Sequence, residues 1–245
     1  MTNLQKAQKI MFETLVELDR ICQKYNINYW LSSGTLLGAV RYKGFIPWDD
    51  DLDICMVKED YDRFLQIAQS ELPKNMFLQT NQTDKNFPYD FAKVRNNKGK
   101  IIEKHEFNKD VKYNQNIFID IFPMMLVSNS KLFRYYQKAY FLFVKLFSYK
   151  YLNIMSVRVY LVNLFYKFHN KNNNILINSA ALPDSNIYID KSYIVPLKKI
   201  EFCHQKFLAP NNHDKYLKTI YGDDYITPPP KDKQHSHAFR IEIYE

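Results

Sequence analysis

Apolar residues recur at helical spacing from the N-terminus. Leu4, Met11, Leu15, Leu18, Cys22 and Tyr25 fall along one side of a helix predicted over 4–25, with Thr2 or Asn3 as its cap. The period then shortens. Tyr29–Leu31 and Leu52–Val57 read as strands, separated by the turn Ser32-Ser33-Gly34-Thr35, a short helix Leu36–Arg41 and the loop Lys43–Pro47. A helix over Asp60–Glu71 is closed by Pro73. Phe77–Thr80, Phe91–Arg95 and Lys100–Glu103 also read as strands. Ile117–Phe122 is the most hydrophobic strand, with one carboxylate in its middle and Pro123 ending it. Residues 131–169 predict two helices, 171–186 an Asn-rich loop, and the last third short strands and turns broken by Pro228-Pro229-Pro230. Strands mixed with helices indicate an α/β (α+β) fold, a mixed sheet flanked by helices.

Composition narrows the class. A chain of 245 residues with 46% apolar content suits one large domain or a core carrying an insertion. Five glycines and 24% charged residues exclude fibrous and wholly disordered chains. The three cysteines, Cys22, Cys55 and Cys203, form no CxxC pair, which argues against a disulfide framework or a cysteine-rich zinc site. The start Met1–Lys6 lacks the apolar stretch of a signal peptide, so a reducing cytoplasm is the expected location. No long uncharged apolar run predicts a membrane-spanning helix.

The candidate chemistry lies in carboxylates. On a strand, Asp51 and Asp53 point to one face while Leu52 and Ile54 point to the other. Adjacent carboxylates repel and raise each other's pKa. A hard divalent cation removes the conflict, and Mg²⁺ in particular takes carboxylates together with substrate phosphates. Asp120 stands alone in an apolar strand, where a charge is expensive unless it is paired or binds metal. Together the three could serve displacement at phosphorus. Upstream, Ser32-Ser33-Gly34-Thr35 between a strand and a helix offers backbone N–H groups and hydroxyls to phosphate. Arg41 and Lys43 lie between the two motifs, either as neutralising charges for a diphosphate or as exposed loop charges.

The run from Leu31 through Ser33-Gly34-Thr35 to Arg41, then Gly44–Asp53 with Trp48-Asp49-Asp50-Asp51-Leu52-Asp53, resembles the LicD family, which is similar to the fukutin-related proteins within the nucleotidyltransferase superfamily. Phe91–Arg95, Ile119–Pro123 and Tyr221-Gly222-Asp223, followed by Pro229 and His235 or His237, resemble further family motifs in order. Asn96-Asn97-Lys98-Gly99 departs from the family pattern where a Thr is expected. The resemblance implies a nucleotidyltransferase-like core over 1–125, a helical basic-aromatic insertion over 126–185 and a C-terminal part over 186–245 that completes the core. It implies Asp51, Asp53 and Asp120 as metal ligands and catalytic residues for Mg²⁺ or Mn²⁺, with Asp120 as ligand or base. Ser33, Gly34 and Thr35, with Arg41, Lys43, Lys93 and Arg95, would hold the donor phosphates. Trp48, Asp49, His235 and His237 would contact substrate, the histidines otherwise belonging to an exposed tail.

The activity this implies is transfer of a phospho-alcohol, most often phosphocholine from CDP-choline, to a sugar of a cell-surface glycan such as lipooligosaccharide, teichoic acid or capsule. Two readings compete. One is a nucleotidyltransferase that releases pyrophosphate, and the other a non-catalytic module binding membrane or glycan.

Charge adds a separate feature. The net charge is +8, and no acid occurs between Asp120 and Asp184, a stretch with eight Lys and Arg residues. Within 131–169, Arg134, Lys138 and Lys145 share a helical stripe, and Phe133, Tyr136, Tyr140, Phe143, Val144 and Phe147 form an apolar side. This pattern fits either a helix on the inner face of the plasma membrane, close to a lipid-linked acceptor, or a core helix with solvated lysines. No nucleic-acid-binding signature accompanies it, so nucleic acid is not an expected partner.

Overall fold

A computed structural model describes residues 1–128, 130–147, 172–178 and 187–244. The first helix, α1 (Asn3–Lys24), begins with a capping box in which Thr2 Oγ1 accepts the Gln5 N–H and Gln5 Oε1 accepts the Thr2 N–H. Its buried stripe is Ala7, Ile10, Met11, Leu15, Leu18, Ile21 and Cys22. That stripe packs across the central sheet.

The sheet is built from β1 (Trp30–Leu31), β2 (Asp53–Val57), β3 (Met76–Gln79), β4 (Ala92–Glu103), β5 (Asn116–Val127), β6 (Ile175–Asn178), β7 (Ile189–Asp190) and a last strand, Ala238–Ile243. Its main path runs β1-β2-β5-β4 to the last strand, with β3 on β4 and β6 on β5. β2 and β5 are parallel, and the other pairings are antiparallel. Helices α2 (Ser33–Tyr42) and α3 (Lys58–Glu71) flank this curled mixed sheet, as the α/β pattern predicted. A separate hairpin, Lys198–Phe202 with Gln205–Ala209, packs beside it.

Four sequence expectations change. Pro123 does not end its strand. The Asp120 N–H donates toward β2, to Leu52 O, so by alternation residue 123 faces the opposite edge. There β4 stops at Ala92↔Ile121 and β6 starts at Met124↔Asn178, so the missing proline N–H falls between two partners. Part of the Asn-rich stretch, Ile175–Asn178, is a strand rather than loop, because Leu176 and Ile177 bury themselves beside β5. Asn96–Gly99 continues β4, with the buried Asn96 Nδ2 donating to Thr14 Oγ1. The C-terminal third contains a helix, His213–Tyr221, capped by Asn212 Oδ1 accepting the Lys215 N–H.

Of the two helices expected over 131–169, the first is α4 (Lys131–Phe147). The second lies outside the described residues.

Candidate active site

The site is assembled where β1 turns into α2 and α2 returns to β2. Leu31 ends β1 against Ile54. The Ser32 N–H then donates to Asp53 O, and the Asp53 N–H donates to Thr35 Oγ1 at 2.8 Å. The first turn of α2 is thereby fastened to the start of β2. Ser33 adopts φ +46°, a left-handed conformation uncommon outside glycine and typical of strained functional turns. Ser32 gives α2 no side-chain cap, so the N-terminal N–H groups of the helix stay available to a ligand. A Cβ on Gly34 would stand 2.7 Å from Asp49 Oδ2, so glycine permits Asp49 to lie against this helix start.

The parallel β2–β5 register sets Asp53 opposite Asp120, and the antiparallel β4–β5 register sets Lys93 opposite the same Asp120. Lys93 Nζ is 2.8 Å from Asp120 Oδ1 and 3.4 Å from the Phe118 ring centre. Burial pushes Asp120 up to about 6, although Lys93 pulls against it. Burial, followed by the charges of Asp51, Asp120 and Asp49, holds Asp53 well above the usual carboxylate range.

The acidic run does not act as a block. Asp50 is buried and accepts the His237 backbone N–H at 2.7 Å, which anchors the C-terminal tail. Asp49, Asp51 and Asp53 face a cleft. Burial and then Asp51 raise Asp49 to about 8. The His237 imidazole, with Nδ1 3.9 Å from Asp51 Oδ2, is raised to about 9 by Asp51 and then by Asp50 and Asp49. Potential ligand atoms of Asp49, Asp51 and His237 lie within 4.8 Å of one another.

The cleft measures about 510 Å³. It brings together Ser33, Gly34, Arg41, Trp48, Asp49, Asp51, Asp53, His235 and His237 from the sequence-based set. Arg41 Nη2 donates to Thr227 O, while its buried Nε has no hydrogen-bond partner among the described residues. Such a donor suits an anion. A second recess of about 300 Å³ opens on the other side of Ser33 and Asp53, lined mainly by apolar groups including Phe122, Met124, Ile189 and Ile220.

Five expected residues stand outside the lining of both cavities. Asp120 is 8% exposed and sits beside Asp53. Thr35 is buried and fastens β2. Lys43 is at the far end of α2, in left-handed backbone, with its carbonyl accepting the Cys203 N–H. Lys93 is spent on Asp120. Arg95 is buried, donating to Gln79 Oε1 and Asn116 O, so as placed here it cannot reach a phosphate in the cleft.

Sequence reasoning passed over several residues of the site. Asp224 and Tyr225 line the cleft beside Tyr221, whose Tyr221-Gly222-Asp223 stretch resembles a family motif without an assigned role in the site. Tyr216 shares a 2.7 Å hydrogen bond with Ser32 and accepts one from Trp30 Nε1. Asn212 followed by Tyr216, Leu217 and Ile220 was the available signal for their helix.

A curled mixed sheet, with a helix N-terminus and a carboxylate pair on one strand and a third carboxylate on its parallel neighbour, defines a nucleotidyltransferase-type domain. The chain belongs to the LicD family: the family described as LicD/FKTN/FKRP, nucleotidyltransferase domain, matches residues 26–160, more than half of its length. It is 39% identical over 77 residues to the lipopolysaccharide cholinephosphotransferase LicD of Haemophilus influenzae, covering 31% of this chain and 29% of that protein. It is 46% identical over 63 residues to the uncharacterized protein RT0683 of Rickettsia typhi, covering 26% and 20%. It is 37% identical over 51 residues to the human ribitol 5-phosphate transferase FKRP, covering 21% and 10%. The chain thus matches less than a third of the length of each of these relatives.

Proposed function

We propose that this protein transfers a phospho-alcohol from a nucleotide-linked donor, CDP-choline first among them, to a sugar hydroxyl of a surface glycan. The observation that carries the reading is the register that sets Asp120 beside Asp53, next to a cleft already holding Asp49 and Asp51.

The donor set fits a hard divalent cation, Mg²⁺ or Mn²⁺. Asp51 and Asp53 would hold it, with Asp120 as a third ligand or as the base. Oxygen ligands predominate, and Asp49, Asp53 and Asp120 are pushed upward by burial and mutual repulsion, a conflict that positive charge relieves. Bound there, the ion would supply charge stabilisation for a donor diphosphate and its leaving nucleotide.

The protein's own groups bind and orient. The α2 N-terminus at Ser33 and Gly34, together with the Arg41 Nε–H, offers donors to phosphate oxygens. Lys93 holds Asp120 in place beside Asp53. His237, pinned by Asp50, closes one side of the cleft. The neighbouring recess suits the transferred alcohol. Phe122 and Tyr216 are among its lining residues and its surface is mainly apolar, which favours a quaternary ammonium over a polyol that would lose several water partners. The cholinephosphotransferase named above supports the same choice of cargo.

Donor turnover tests this. The purified chain with Mg²⁺ is given a panel of CDP-alcohols and nucleoside triphosphates plus acceptor glycan, and products are followed by ³¹P NMR. CMP release from CDP-choline, lost in Asp51→Asn, is expected. Pyrophosphate release from a triphosphate would favour the nucleotidyl-transfer reading. No turnover of any donor would leave a binding module.

A further inference from the structure

Helix α4 carries two unlike faces. Phe133 is 1% exposed and Gln137 5%, and the Tyr188 hydroxyl donates to Gln137 Oε1. That face anchors the helix to the body of the protein. On the opposite side Leu132 is 64% exposed, Tyr135 72% and Leu142 55%. At 3.6 residues per turn these three and the exposed Ala139 fall within about a quarter of the circumference. The adjoining sector holds Lys131, Arg134 and Lys138, all exposed, with the Arg134 guanidinium laid over the Tyr188 ring at 4.9 Å.

The apolar side expected from the sequence is therefore split. Phe133 is the inward anchor, Tyr136 is half exposed, and the outermost apolar stripe is built from residues not in that set. An ordinary surface helix places polar residues opposite its buried face. This one places two leucines and a tyrosine there, at the energetic disadvantage of wetting them.

We propose that the Leu132–Tyr135–Ala139–Leu142 face of α4 docks on an anionic lipid surface, with Lys131 and Lys138 directed at the headgroups. Charge complementarity selects this occupant. The stripe lies in the stretch from Asp120 to Asp184 that has no acid between them and holds eight basic residues, whose count equals the whole net charge of +8. Apolar insertion flanked by lysines is the physical pattern of an interfacial helix. Among the described residues no helix is long and apolar enough to cross a membrane, and the buried Phe133–Gln137 face opposite the stripe lays α4 in the surface plane. The inference goes beyond the proposed reaction and does not rest on it.

Co-sedimentation of the full chain with vesicles tests it. Binding to phosphatidylcholine vesicles containing phosphatidylglycerol is expected, weakening as salt rises, with little binding to phosphatidylcholine alone. Lys131→Glu/Lys138→Glu should weaken binding roughly thirtyfold or more, from about fivefold per basic residue near an anionic surface. Tyr135→Ser/Leu142→Ser should weaken it as well. All four positions are exposed, so both double variants should melt like the parent and turn over soluble donor as well as the parent does. Equal binding to neutral and anionic vesicles, undiminished binding by the variants, or retention by RNA with no vesicle binding would each overturn the proposal. Loss of donor turnover in the parent chain would overturn the proposed reaction alone.

Discussion

Asp50 shows how one residue type divides its labour within three positions. Its neighbours Asp49 and Asp51 face the cleft, while its own carboxylate is buried on the His237 N–H. Replacing Asp50 by Ala leaves a backbone donor without its charged partner, at a cost of about 2 kcal/mol. The melting temperature should fall by roughly 4–8 °C for a chain of this size. Loosening of His237 should also lower activity, and Asp50→Asn, which keeps an acceptor oxygen, should recover most of the stability. Asp51→Asn should behave the other way, with activity lost and the melting temperature kept. A melting scan of the three variants beside one turnover assay separates the two roles. The sequence could show that Asp51 and Asp53 share a side, since side-chain alternation is a property of extended chain. It could not show that Asp50 reaches a partner at the other end of the chain. Arg95 is the converse case. The family resemblance implied a phosphate-holding cation there, yet Gln79 and Asn116 O hold it inside the sheet.

At the scale of elements, two glycines of α2 separate function from folding. A Cβ at Gly34 meets Asp49 Oδ2 at 2.7 Å, the end of a side chain that can swing away. At Gly38 it meets the Gly44 carbonyl oxygen at 2.4 Å and the Ile46 nitrogen at 3.0 Å, both backbone. Gly34→Ala should therefore fold normally and lose about tenfold or more in turnover, a tenfold rate loss being ~1.4 kcal/mol at the transition state. Gly38→Ala should lose about 1–3 kcal/mol of stability through overpacking. Thermal melting and steady-state kinetics on the pair check the split. Most of these elements were legible. The β1 turn, α2 and β2 follow from period and turn residues, and β5 from its apolar run. Pro123 misled because its tolerance depends on where β4 ends and β6 begins, which is tertiary information. The helix His213–Tyr221 was missed because its apolar stripe is short and follows a loop rich in Asn.

Across the whole molecule, the two ends of the chain meet over the sheet. α1 packs on β4, β5 and the last strand, and Asn3 Nδ2 donates to Ile241 O. The last strand covers β4, where Gly99 leaves room for the Glu242 carbonyl. Truncation after Ser236 removes His237 and this strand together, including Ile241 and Ile243. Ile241 and Ile243 are half-buried, so losing them costs roughly 2–3 kcal/mol, and the melting temperature should drop by about 5–10 °C. A drop of a degree or two would show that the tail is ornamental to the fold. The closure was readable only through the family motifs near His235 and His237. Periodicity carries no information about which strand pairs with which.

The proposed reaction requires carboxylates from two neighbouring strands, Asp53 and Asp120, to form one cation-dependent centre. Calorimetric titration of Mn²⁺ or Mg²⁺ into the chain, the Asp53→Asn variant and the Asp53→Asn/Asp120→Asn variant tests this. A saturable site is expected in the parent, weakened about tenfold or more by the single change and abolished by the double change, with all three proteins folded. Equal binding by parent and double variant, or none in the parent with donor present, would contradict it.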